Sequence, residues 1–173
     1  MKAHAFFETI EEILLESLKD ELDLNPKPGC VDRDDCGPHS DMDYDVFLKS
    51  ISSLKGYFFE MMEASNTEKS FSASVIVICK KIIEYTFNAI RPIGIKYEKK
   101  MYEASGGVNT HKGAIFTLGV IASAIGKIYY DNKYISVNLI SHYVKKLCAN
   151  IFDDFNKKEM LDSNGARIYK NNA

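Results

Sequence analysis

Three polar stretches of this chain carry residue types that can hold phosphate or move a proton. The first is "SGGVNTHKGAIF", Ser105 to Phe116. Gly106 and Gly107 admit positive φ, and a turn of that kind lets backbone amides face a ligand. Gly113 opens a helical pattern, and the first N–H groups and dipole of a helix favour an anion. Lys112 adds a full charge, His111 a proton donor or acceptor, and Asn109 and Thr110 short polar arms. The order His111-Lys112-Gly113 is not the Gly-Lys-Ser/Thr of a Walker loop. Two readings are open on these residues alone: a helix C-cap at Gly106 or Gly107 followed by a polar turn, or an anion site.

The second stretch, "NPKPGCVDRDDCGPHSDMD", holds Lys27, Asp32, Arg33, Asp34, Asp35, His39, Asp41 and Asp43. Carboxylates gathered on a loop can bind Mg²⁺, with Asp32 and Asp41 as candidate ligands, or one of them can act as a base. The alternative is a solvated acidic loop in which Asp41 merely caps the next helix. The third stretch is "NAIRPIGIKYE". Arg91 precedes Pro92, a place that favours extended backbone and can aim a guanidinium at phosphate. A surface arginine beside a kink is the competing reading.

Helices must position these stretches. Phe7, Ile10, Leu14, Leu18 and Leu22 recur at helical spacing and predict an amphipathic helix from about Ala5 to Leu22. Three prolines and two glycines then forbid a regular helix through "LNPKPGCVDRDDCGPHSDMD", leaving a long loop over about residues 24–40. Ser40 or Asp41 can cap a helix through "YDVFLKSISSLKGYFFEMMEA". "FSASVIVICKKIIEYTFNAI" mixes strand propensity with helical spacing, and its length favours helix. Pro92 is expected to end or kink it, with "IGIKYEKKMYEAS" resuming as a short helix. "GAIFTLGVIASAIGKIYY" is apolar nearly all round, as a central helix surrounded by others would be. One more amphipathic helix follows from Tyr134 to about Lys158, and "NGARIYKNNA" begins another. The predicted fold is therefore a single all-α domain, a compact bundle of about six helices around a central apolar helix at about 113–130.

The chain has 173 residues, 46 % of them hydrophobic, which suits one domain with a full core. A net charge of −2 gives no general attraction to nucleic acid or to an anionic membrane, so an anionic ligand must be met by local charge. Glu8, Glu11, Glu12 and Glu16 interrupt the N-terminal apolar residues, which is unlike a signal peptide. No uninterrupted apolar run approaches membrane-spanning length, and the cytoplasm is the expected compartment. The four cysteines form no CxxC pair and are expected to be free thiols, with Cys79 and Cys148 as small buried residues.

Taken together, "PKPGCVDRDDCGPHSDMDYDVFLKS", "RPIGIKYEKKMYEASGGVNTHKGAIFTLG" and the spacing between them resemble the triphosphoribosyl-dephospho-CoA synthase family, from the first helix to about Arg167. The resemblance implies an all-α fold and a reaction. ATP and 3′-dephospho-CoA give 2′-(5″-triphosphoribosyl)-3′-dephospho-CoA and adenine. The product is the precursor of the prosthetic group of citrate lyase, or of malonate decarboxylase in a related branch, and a separate transferase passes it to an acyl-carrier subunit. For such chemistry Lys27, Arg33, Arg91 and Lys112, with Gly106, Gly107, Asn109, Thr110 and Gly113, suit the phosphates. Asp41 or Asp43 suits the base or a Mg²⁺ contact, and His39 or His111 suits proton delivery. Family members usually continue through further helices, so the chain is expected to correspond to the N-terminal portion of a longer synthase. An apolar face left uncovered in such a portion would favour a homodimer. The alternative function is a catalytically inactive nucleotide-binding or interaction module of the same fold.

Overall fold

A computed structural model of the chain describes residues 2–66 and 75–149, and of residues 75–85 the backbone alone. Among the described residues there are six helices and no strand: α1 (Lys2–Asp23), α2 (Tyr44–Ser53), α3 (Tyr57–Glu63), α4 (Val75–Ala104), α5 (Lys112–Tyr130) and α6 (Val137–Leu147). The expected helical bundle around one apolar helix is what forms. α5 is that helix: Ile115, Val120, Ile125, Ile128 and the small residues among them are buried, with α1, α3, α4 and α6 packed around it. Two of its glycines set its distance from α3. A Cβ on Gly119 would overlap the Tyr57 hydroxyl, and one on Gly126 would lie 2.5 Å from the Met62 carbonyl oxygen. Bare backbone at both positions is what lets α3 seat against α5. Polar groups in this seam are paired, as burial demands: the Tyr57 hydroxyl donates to the Ile115 carbonyl at 2.9 Å, and the Ser65 and Ser123 hydroxyls bond at 2.7 Å. The expectation of no spanning-length apolar segment needs one amendment, because α5 is long and apolar enough to cross a membrane. Its buried faces make it a core helix here.

The expected single helix from Tyr44 to Ala64 is two helices. Ile51, Leu54, Phe58, Met61 and Met62 keep helical spacing straight through the break and are all buried, so periodicity reads one helix. Gly56 stops it by adopting φ 88°, a conformation that costs other residues energy. A glycine offers α3 no side-chain cap. Glu11, buried on α1, supplies one from outside by accepting the N–H groups of Gly56 and Phe59.

The cap of α2 also differs from expectation. Neither Ser40 nor Asp41 fills it. Asp43 does, with extended backbone and its Oδ1 accepting the Val46 N–H at 2.8 Å. Asp43→Ala is expected to lower stability by about 1 kcal/mol in urea unfolding, and an unchanged midpoint would mean that water replaces the cap without loss.

α4 corrects the reading of Pro92. The helix runs from Val75 to Ala104 with Pro92 inside it, and Arg91 is helical rather than extended. An interior proline removes one backbone bond and crowds the carbonyl four residues earlier, at a cost of about 3 kcal/mol. That carbonyl belongs to Asn88, which is exposed, as is Pro92, so water can serve it. Ile90, Tyr97 and Met101 are buried on both sides of the proline, and their packing holds the helix continuous. The ambiguous segment before it is helical from Val75. The side chains of Ile78, Cys79, Ile82 and Ile83, the last expected helix beyond Ala149 and "NGARIYKNNA" lie outside the described residues. Cys30, Cys36 and Cys148 are free thiols, and Cys148 is half-buried rather than buried.

Candidate active site

The loop between α1 and α2 is organised from within by Asp32. Its carboxylate is buried and accepts three backbone N–H groups, from Asp34 at 2.9 Å, Lys27 at 2.9 Å and Asp35 at 2.8 Å. Those donors, Asp34 and Lys27 foremost, hold its pKa below the usual carboxylate range. Asp32 thus folds the loop, and both its oxygens are already engaged. Asp41 lies exposed, 3.9 Å from the His39 ring. Among the described residues no group of three or more His, Cys, Asp or Glu is arranged to hold a metal ion. The pairing of Asp32 with Asp41 as Mg²⁺ ligands therefore finds no support in the geometry.

Three of the expected phosphate-binding cations are held by carboxylates. Lys27 Nζ lies 3.0 Å from the Glu21 carboxylate and 3.0 Å from the Glu21 carbonyl oxygen. Arg33 donates twice to Asp23 at 3.2 and 3.0 Å and lies over the Tyr44 ring. Both acceptors stand in the last turn of α1, where the helix dipole also favours cations. Lys112 Nζ reaches across to Glu98 on α4 at 2.6 Å, and that bond raises the ammonium group above its usual pKa. Arg91 stands 13 residues before the end of α4, which places it roughly 20 Å along the axis from the glycine turn. A cavity of about 280 Å³ opens over the α1–α2 loop, but five aspartates and a single cation, Arg33, line it. That wall repels a triphosphate.

The glycine turn resolves the first alternative in two parts. Gly106 and Gly107 have φ 70° and 93°, and the Gly107 N–H bonds the Tyr102 carbonyl at 2.7 Å. This six-residue closure ends α4, so the C-cap reading is right for Gly106. Gly113 is different. It needs no positive φ, and a Cβ there would meet nothing within 4 Å. Alanine would favour the helix by about 1 kcal/mol, so neither backbone nor packing accounts for glycine at this place. The Asn109 Oδ1 accepts the Lys112 N–H at 3.3 Å, while the N–H groups of Gly113 and Ala114 have no acceptor among the described residues. Open space over bare helix-start amides is what an anion requires.

Behind this opening lies a buried polar chain. The Thr110 hydroxyl donates to Ser50 Oγ at 2.6 Å, and Ser50 Oγ lies 2.7 Å from His111 Nδ1. Ser50 is fully buried and His111 only 6 % exposed, with Phe47 edge-on to its ring. Burial drives the His111 pKa down to about 4, and the charges of Glu21 and Lys27 act on it in opposite senses. The imidazole is therefore neutral near pH 7.

A family model described as CitG, ATP:dephospho-CoA triphosphoribosyl transferase, matches residues 7–166. The chain belongs to this family. No solved structure matches it. The match spans nearly the whole chain and takes in all three polar stretches, so the chain is a transferase by family, and its site is to be sought where those stretches meet.

In this transferase the fold brings together Thr110 and His111 through Ser50, with Asn109, Lys112 and Gly113 at the adjoining start of α5, while Lys27 is held by Glu21. It leaves His39 and Asp41 on the loop surface, Asp43 at the cap of α2, Arg33 against α1, and Arg91 inside α4. Sequence reasoning missed Ser50, Glu21 and Glu98. Ser50 had a signal: it interrupts the apolar stripe of Phe47, Ile51 and Leu54, and a polar residue there needs a buried partner. Nothing in the order of residues marks Glu98 as the partner of Lys112.

Proposed function

We propose that this chain transfers the 5-triphosphoribosyl group of ATP to the 2′-hydroxyl of 3′-dephospho-CoA and releases adenine. The observation that carries this reading is the family match across residues 7–166. The 2′-oxygen attacks C1′ of the ATP ribose. The C1′–N9 bond breaks, its electron pair leaves with adenine, the hydroxyl proton passes to a base and the purine takes up a proton. An oxocarbenium-like transition state follows from that bond order, as in glycosyl transfer. The start of α5 would hold the triphosphate through the amides of Gly113 and Ala114, with Lys112 released from Glu98 to meet it. Lys27 would serve a neighbouring phosphate. Asp41, exposed and tied to no backbone group, is the better base, because Asp43 is engaged as a cap. Mg²⁺ would arrive on the ATP phosphates rather than in a cage of protein carboxylates, given the absence of a three-ligand cluster among the described residues. In this reading the product is made in the cytoplasm and passes to a second transferase, which loads it onto the acyl carrier of citrate lyase.

The test is adenine release, followed by chromatography, with ATP and Mg²⁺ in the presence and absence of dephospho-CoA. Adenine that appears only with dephospho-CoA is expected. Adenine formed equally without it would mean that water is the acceptor, and no adenine in either arm would overturn the proposal.

A further inference from the structure

The chain Thr110–Ser50–His111 has a direction. A serine hydroxyl has one proton and can accept as well. Ser50 accepts from Thr110, so its own proton is free to go to His111 Nδ1. Nδ1 then acts as the acceptor, and in a neutral ring the remaining proton sits on Nε2. Among the described residues Nε2 has no hydrogen-bond partner, although His111 is only 6 % exposed. A buried donor left in that state costs free energy and calls for an acceptor that the described residues do not supply. His111 is the N-cap residue of α5 and offers that helix no side-chain cap. The amides of Gly113 and Ala114, also without acceptors among the described residues, follow one residue further on, and a Cβ at Gly113 would meet nothing within 4 Å.

We propose that Ser50 is a positioning residue that commits His111 to the Nε2–H tautomer, so that His111 serves as an uncharged hydrogen-bond donor to a phosphate oxygen bound at the start of α5. This rests on the transferase reading for the identity of the ligand. It assigns His111 a different task from the proton delivery expected from sequence. An imidazole that stays neutral near pH 7 adds a donor without adding a charge, and its buried ring loses no rotamer freedom on binding. Glu21 and Lys27 are the charged groups that act on the ring, and they oppose each other. Thr110 belongs to the same device: its hydroxyl faces inward to Ser50 and orients the serine proton, rather than binding phosphate itself.

The experiment is a long-range ¹H–¹⁵N spectrum of the ¹⁵N-histidine-labelled chain at pH 7, with His111 assigned by the signal lost in His111→Gln. The expected pattern is a protonated Nε2 and an unprotonated Nδ1 in the ligand-free protein. A protonated Nδ1 or an imidazolium would overturn the proposal whatever the variants do. Ser50→Ala is expected to mix the tautomers and to weaken ATP binding in calorimetry by about tenfold. A Ser50→Ala protein that keeps the pure tautomer would show that Ser50 only fills space. Because the spectrum is read without substrate, its failure leaves the transferase reading standing. A correct tautomer with no adenine release removes the reading and not the hydrogen-bond chain.

Discussion

Acidification from pH 6.5 to pH 4 is expected to cost this fold about 3 kcal/mol at His111 alone. The sign follows from which state binds the proton. In the unfolded chain the imidazole has its ordinary pKa of 6.5, while burial in the folded chain lowers it to about 4. Between those values the unfolded state is protonated and the folded state is not, so stability falls as pH falls through the window. Below about 4 both states carry the proton and this contribution stops changing. The carboxylates held below their usual range, Asp23 by Tyr44 and Arg33 and Asp32 by backbone amides, act with the same sign but at lower pH. Urea unfolding at pH 7 and at pH 4.5 measures the loss. His111→Gln cannot gain a proton and should lose much less stability over the same interval. Equal losses in the two proteins would mean that His111 is not buried and neutral as the geometry indicates.

The second large effect concerns ATP. Lys112→Ala is expected to weaken ATP binding by about 2 kcal/mol, near thirtyfold in affinity, because it removes one charge-assisted contact to phosphate. The fold should not suffer. Lys112 is 48 % exposed at its side chain, and its pair with Glu98 lies at the surface, where such pairs contribute at most about 1 kcal/mol. Glu98→Gln provides the counterpart. It frees Lys112 from a competing carboxylate, and ATP affinity should rise or hold rather than fall. Calorimetry with both variants separates the roles. An unchanged affinity in Lys112→Ala would remove this lysine from the phosphate site.

The fold class was legible because α1 and α5 carry strong patterns: a clear apolar stripe in one, apolar residues on all sides in the other. Two boundaries were not, and they failed in opposite directions. Gly56 splits a helix whose apolar stripe continues unbroken through it, while Pro92 fails to end a helix that buried neighbours hold on both sides. Local propensity lost to packing at the proline and won at the glycine, where Glu11 arrives from α1 to cap the new helix. The same limit governs the site. Residue type and spacing drew attention to His111 and Lys112, but whether each is free or engaged depends on Ser50 and Glu98, which stand on other helices. Asp32 shows the converse. Its carboxylate looked like a ligand for metal and proves to be a ligand for three amides of its own loop.

In the proposed transfer the triphosphate of ATP stays attached to its ribose while adenine leaves and dephospho-CoA takes its place. ATP labelled with ³²P at the γ position follows this directly. After incubation with Mg²⁺ and dephospho-CoA, the label is predicted to appear in the dephospho-CoA-derived product, with one adenine released for each label transferred. Label recovered as inorganic phosphate or pyrophosphate, or label left entirely in ATP, would rule this transfer out.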